Sequence, residues 1–184
     1  MTIDRRIRGG AFAFALGIFL EGQGGLAFAA EYRLEWEQRG VALELRTFAL
    51  PSTTSARVGE TALIEKDSNF PVKEELVDGK VRLAPASHAV LLLTARNPGK
   101  KEAAFFVAPH ESNPIDASLG FQFYCLCNGH VYRVPPGKTW YRVILLKALP
   151  EQGESGVNLK HVIVSAEDAP KLAHEREKKR LKKN

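Results

Sequence analysis

An all-β antiparallel sandwich is the fold this sequence predicts, and three observations predict it. Apolar residues recur with a period of two, as in Leu34 and Trp36 and again in Val41, Leu43 and Leu45, which is the spacing that puts alternate side chains on one face of a strand. Gly, Pro, Asn and Asp cut these runs into seven to nine short strands. The length of 184 residues, with 45% hydrophobic and 26% charged residues, suits one soluble domain with a real core plus short extensions.

Taken in order, residues 31–50 read as two strands broken near Arg39-Gly40, and residues 51–55 (PSTTS) as a loop. Residues 61–65 form a short strand that residues 67–71 end. Asp78-Gly79 is a turn signal, followed by a strand through Val81 and Leu83. Residues 88–95 (HAVLLLTA) are a strongly apolar strand that stops at Asn97-Pro98-Gly99, where proline fixes φ. Residues 103–108 (AAFFVA) are the next strand and 109–118 a loop. Residues 120–127 and 130–134 read as a hairpin, ended by Pro135-Pro136-Gly137. Residues 139–149 and 157–164 supply the last two strands. Few folds accommodate this pattern, and an immunoglobulin-like or cupredoxin-like sandwich over residues 31–167 is the one expected.

Both ends differ from this body. Arg5, Arg6 and Arg8 precede an apolar run at residues 11–20, and Ala27-Phe28-Ala29 fits the small-x-small rule for cleavage. Residues 1–30 therefore read as a signal peptide for export to the periplasm, with the mature chain starting near Ala30 or Glu31. The apolar run is shorter than the ~20 residues that span a bilayer, which makes a short membrane anchor the weaker alternative. Residues 168–184 are a basic tail. Asp168 is a candidate cap, Pro170 suits a first helical turn, and the residues beyond are good helix formers. Only Leu172 and Leu181 are large and apolar there, so a solvated helix or disordered arm without a buried face is expected, suited to an anionic membrane surface or an acidic partner. Of the net charge of +5, residues 171–184 contribute +5 and residues 1–30 contribute +1, which leaves −1 on the body. The basic balance is thus a property of the tail and not of the fold, and no nucleic-acid partner is expected.

Both cysteines lie in one stretch, Phe123-Tyr124-Cys125-Leu126-Cys127-Asn128-Gly129-His130. Asn-Gly is the preferred centre of a two-residue hairpin turn, because both positions need positive φ. Such a turn opposes Cys127 to His130 and Cys125 to Tyr132, so that Cys125, Cys127 and His130 project from one face. A disulfide explains the spacing poorly. Residues two apart on a strand are separated by ~6.6 Å, whereas bridged Cβ atoms lie ~3.8 Å apart, and the bridge would close almost no loop. Two buried thiols packed beside Phe121 and Phe123 are a further reading. Metal binding accounts for the residues best: two thiolates favour Cu(I), while zinc requires four closed ligands, which these three reach only if His110 folds over them. His88 and His161 read as ordinary hydrogen-bonded strand residues, and His174 belongs to the tail. No nucleophile elbow or phosphate-cradling glycine loop is present, and a non-enzymatic protein is expected.

Ala95-Arg96-Asn97-Pro98-Gly99, then Ala108 and Pro114, then Phe123-Tyr124-Cys125-Leu126-Cys127, then Pro136-Gly137 before an apolar strand, resemble the copper-insertion assembly proteins of cytochrome c oxidase. The resemblance covers roughly residues 61–164. It implies an immunoglobulin-like periplasmic copper chaperone that carries Cu(I) on Cys125 and Cys127, forms homodimers, and delivers the metal to a membrane oxidase subunit. The chain departs from that pattern in its cleavable signal, in Asn128-Gly129-His130 after the second cysteine, and in its basic tail, and a periplasmic carrier serving another copper enzyme fits the same residues. The stretch also resembles the ligand loop of cupredoxins, which implies an electron-transfer site built on Cys125 and His130 with His110 as the upstream histidine. A sandwich module that docks a partner, with the metal incidental, is the third reading.

Overall fold

The computed structural model describes residues 29–64, 70–115, 121–124, 129–149 and 156–182. Among the described residues, twelve strands form two packed sheets. The first sheet runs in the order β10 (Val131–Val134), β7 (Ala103–Val107), β12 (Val157–Ser165), β1 (Ala30–Arg39) and β5 (Lys80–Leu83), with β8 (Glu111–Asn113) also paired to β12. The second runs β3 (Thr61–Leu63), β11 (Thr139–Ala148), β6 (His88–Arg96), β2 (Glu44–Leu50) and β4 (Glu74–Glu75), with β9 (Phe121–Tyr124) also paired to β11. The all-β sandwich is as the alternation predicts. Among the described residues one strand pairing is parallel, that of β1 with β12, in a register that sets Trp36 beside His161. All the others are antiparallel. The whole sandwich serves as the crossover that a parallel pair needs.

The alternation built the core. On β1 the inward residues Ala30, Tyr32 and Leu34 are buried; on β12 the set is Val157, Leu159, His161 and Ile163. They meet Leu91, Leu93, Ile144 and Leu146 of the opposite sheet, and Phe105, which is fully buried against Tyr132 and Trp140. β11 is buried on both faces for most of its length, which is why residues 139–149 read as a nearly continuous apolar run.

The turn chemistry also holds. Gly79 has φ +65°, and a Cβ there would stand 2.2 Å from the Leu34 carbonyl oxygen, so the turn before β5 needs glycine on both counts. Asn97 is buried after β6. Its Nδ2 donates to the carbonyls of Lys101 and Val134, each at 2.8 Å, and its Oδ1 accepts from Gly99 N–H at 2.9 Å. One side chain thus pins the turn to the end of β10. Asn97→Ala strands two carbonyls and an amide, and about 1–3 kcal/mol of stability is expected to be lost, read as a lower urea midpoint at unchanged slope.

A buried tyrosine bonded to an exposed carboxylate makes stability depend on pH at both extremes. The Tyr141 hydroxyl donates to Glu60 Oε1 at 2.7 Å. Burial, and then the neighbouring carboxylate, pushes the Tyr141 hydroxyl up to about 12. The tyrosine bond, and then the Arg57 N–H, holds Glu60 below its ordinary 4.5. Glu60 therefore stabilises the fold fully above pH 4.5, and this contribution disappears as pH falls through its folded value. Tyr141 stabilises the fold fully below its ordinary 10, and the contribution is lost as pH rises through about 12. In urea midpoints measured against pH, Glu60→Gln is expected to flatten the acid limb and Tyr141→Phe the alkaline limb.

Two expectations change. The tail is the largely exposed helix expected, but one of its side chains is buried. Helix α1 (Ala169–Leu181) packs Leu172 against Ala108, Val162 and Val164 on the outer face of the first sheet, while Leu181 is exposed. A single leucine sufficed because β12 presents Val162 and Val164 outward, and the pattern of the tail alone does not show that partner. The helix start is fixed by Asp168, which is bonded to Ser165 and to Lys171, and the Lys171 ammonium holds its carboxyl below the usual range. Residues 111–113, expected in a loop, form the short edge strand β8.

Candidate functional site

The expected hairpin does not form among the described residues. β9 joins the second sheet, with Phe123 opposite Leu146, whereas β10 joins the first, with Tyr132 opposite Phe105. Phe121 and Phe123 point inward from one sheet, and Tyr132 and Val134 from the other. A two-residue turn would place all four on one sheet. Instead the six residues 125–130 connect the edge strand of one sheet to the edge strand of the other. Six residues reach up to about 20 Å, twice the ~10 Å between packed sheets. Gly129 keeps its left-handed φ of +78° without the paired turn. Cys125 and Cys127 lie outside the described residues. His130 is exposed just before β10, and the ladder expected to oppose it to Cys127, and Tyr132 to Cys125, is replaced by the pairing of β10 with β7.

Between the two sheets, against the Phe123 ring of β9, lies a cluster of aromatic and imidazole rings. His161 sits on the inward face of β12, between Leu159 and Ile163, and is 0% exposed. Its ring stacks on Trp36, with centroids 4.5 Å apart and planes 29° apart, as the parallel register requires. Phe123 meets it edge-on at 5.1 Å. His110, half-buried between β7 and β8, lies 5.4 Å from His161, 5.7 Å from Phe123 and 5.9 Å from Phe121. His161 lies within a strand as expected, and period-two counting shows only that it faces inward. The signal that it differs from its neighbours is chemical, an imidazole at a position flanked by Leu159 and Ile163.

The His110 segment is anchored on both sides. Ala108 N–H donates to the Val162 carbonyl at 2.9 Å. Arg176 of α1 donates to the Pro109 carbonyl at 3.0 Å and pairs with Glu111 at 3.2 Å. On the outer face of the same strands, Glu37 accepts from Arg39 and pairs with Lys160, both at 2.6 Å. Lys160, then Arg39, hold its carboxyl below the usual range. The tail helix therefore braces the loop that carries His110. His88 stands at the exposed start of β6 and His174 on the exposed face of α1, both away from this cluster.

The described residues define an all-β sandwich in which Phe121 and Phe123 of β9 lie against two histidines. A family described as a domain of unknown function (DUF8709) matches residues 30–166, and the chain belongs to that family. Its boundaries coincide with the first residue of β1 and the residue after β12. No curated protein matches the chain.

Proposed function

We propose that this protein is an exported copper carrier without enzymatic activity. It holds Cu(I) through Cys125 and Cys127, with His130 from the same connection as a further ligand, and hands the ion to a copper enzyme. A cytochrome oxidase subunit in the membrane is the acceptor suggested by the sequence resemblance. The observation that supports the proposal is where β9 ends: this edge strand stops at the exposed Tyr124, one residue before Cys125, with Phe123 packed against His110 and His161. Low-coordinate Cu(I) on thiolates at such an edge is open to attack by an acceptor's ligands, which is what stepwise transfer needs.

Export is supported by where the domain starts. Ala30 is 1% exposed and pairs with Leu83. Cleavage after Ala29 leaves β1 whole, whereas cleavage one residue later removes a buried residue. No helix among the described residues is long and apolar enough to cross a membrane. The exposed Lys171 and Lys178 of α1 suit an anionic membrane surface or an acidic acceptor.

Apo-protein titrated with Cu(I) under reductant, in competition with a chromophoric chelator, is expected to take up one ion per chain. No uptake rejects the carrier. The proximity of His110 to β9 favours one second reading, a cupredoxin-like electron-transfer site on Cys125, His130 and His110, and an intense blue colour with Cu(II) near neutral pH would replace the carrier by it.

A further inference from the structure

We propose that the outer edge of β5 is a docking site for an extended, acidic segment of a partner protein, which joins the first sheet as an added strand. The inference is independent of copper: β5 ends that sheet at the edge opposite β10. Among the described residues β5 pairs with β1 alone. The phase of that pairing fixes which main-chain groups it leaves over. Leu34 N–H donates to the Gly79 carbonyl at 2.8 Å. Bonded pairs alternate along an antiparallel ladder, so Tyr32 with Val81 and Ala30 with Leu83 are the next ones. The N–H and C=O groups of Lys80 and Arg82 therefore point away from β1, in line for another strand.

This edge borders a groove of about 770 Å³ between the sheets, within the ~300–1,000 Å³ of ordinary ligand pockets. Val81 and Leu83 wall it on the first sheet, and Ala49, Leu50 and Ala89 on the second. The alanines leave space, whereas Leu91, the next inward residue of β6, fills the core. An added strand would present one side to this apolar groove and the other to the Lys80 and Arg82 side chains, which are 49% and 77% exposed. The existing ladder shows which chemistry suits the second side. Glu31 of β1 lies across from Arg82 and pairs with both cations at 3.3 Å. A carboxylate on the vacant side repeats that contact. Across the groove Lys73 and Glu74 offset each other, which leaves the selection to Lys80 and Arg82. A second copy of the chain does not fit. Any register that keeps both copies of Val81 and Leu83 inward sets lysine and arginine opposite lysine and arginine, and like charges across a ladder repel. The partner segment thus alternates acidic and aliphatic residues along β5, with main-chain bonds for affinity and the charges for choice.

A blocked octapeptide of alternating glutamate and valine, added to the protein and followed by amide hydrogen exchange, tests the site. Saturable binding is expected, with exchange at the Lys80 and Arg82 amides slowed about tenfold when free peptide stands at ten times its Kd. The same peptide with lysine for glutamate is expected not to bind. Lys80→Glu together with Arg82→Glu is expected to weaken the acidic peptide about tenfold or more. Should repulsion from Glu31 unfold that variant, Arg82→Pro decides. It removes an N–H that points away from β1, at an edge position where proline is tolerated, and is expected to abolish binding. No binding of the acidic peptide, equal binding of the lysine peptide, or protection confined to amides outside β5 overturns the docking site. So does a protein that dimerises through β5. Copper uptake is expected to be unchanged in both variants, so failure of the docking site leaves the carrier intact.

Discussion

Replacing Cys125 and Cys127 together by serine is expected to take Cu(I) uptake from one ion per chain to none. Serine keeps the size of the side chain but offers a hard, protonated oxygen in place of a soft thiolate, and Cu(I) selects strongly between them. Imidazoles alone do not compensate at nanomolar free copper, because they contribute neither charge nor sulfur. Far-ultraviolet circular dichroism of the same sample separates loss of the site from loss of the strands. Stoichiometric binding retained by the double variant rejects the thiol site outright. A partner captured equally well by wild type and by the double variant shifts the balance to a scaffold whose copper is incidental.

The second large effect concerns the core that holds the edge in place. Phe105→Ala is expected to cost about 3–5 kcal/mol. Phe105 is fully buried, and its ring meets Trp140 edge-on at 5.4 Å and Tyr132 at 5.5 Å, so truncation opens a cavity between the sheets and removes two aromatic contacts. A domain of this size is stable by about 5–15 kcal/mol. The variant should therefore melt roughly 10 °C or more below wild type by calorimetry. A shift of only a degree or two would mean that the two sheets close over the gap. The residue also lies opposite Tyr132, so the same variant loosens β10, which receives the connection from the cysteines.

Much of the fold was legible because period-two burial is a local signal. Tyr32 and Leu34, Val81 and Leu83, and the apolar run of β6 and β11 declare their strands in sequence, and Gly79 and Asn97 declare their turns. What was not legible is which sheet each strand joins. Asn128-Gly129 is a strong local argument for pairing the strands on either side. It lost to packing, since Phe123 and Tyr132 fill the core from opposite sheets. Leu172 shows the same limit in the tail: a lone leucine predicts no buried face until Val162 and Val164 are known to lie across from it. At the candidate site, the cysteine spacing was visible at once, but the neighbourhood of His110 and His161 depends on β7, β9 and β12 meeting, contacts that no sequence spacing encodes.

The most direct measurement is the metal content and oxidation state of the protein purified, without added copper, from the periplasm of its own cells. Copper near one equivalent per chain, reduced and coordinated through sulfur, is the result expected of a Cu(I) carrier. Metal-free protein with free thiols under copper-replete growth, or stoichiometric zinc in place of copper, contradicts it.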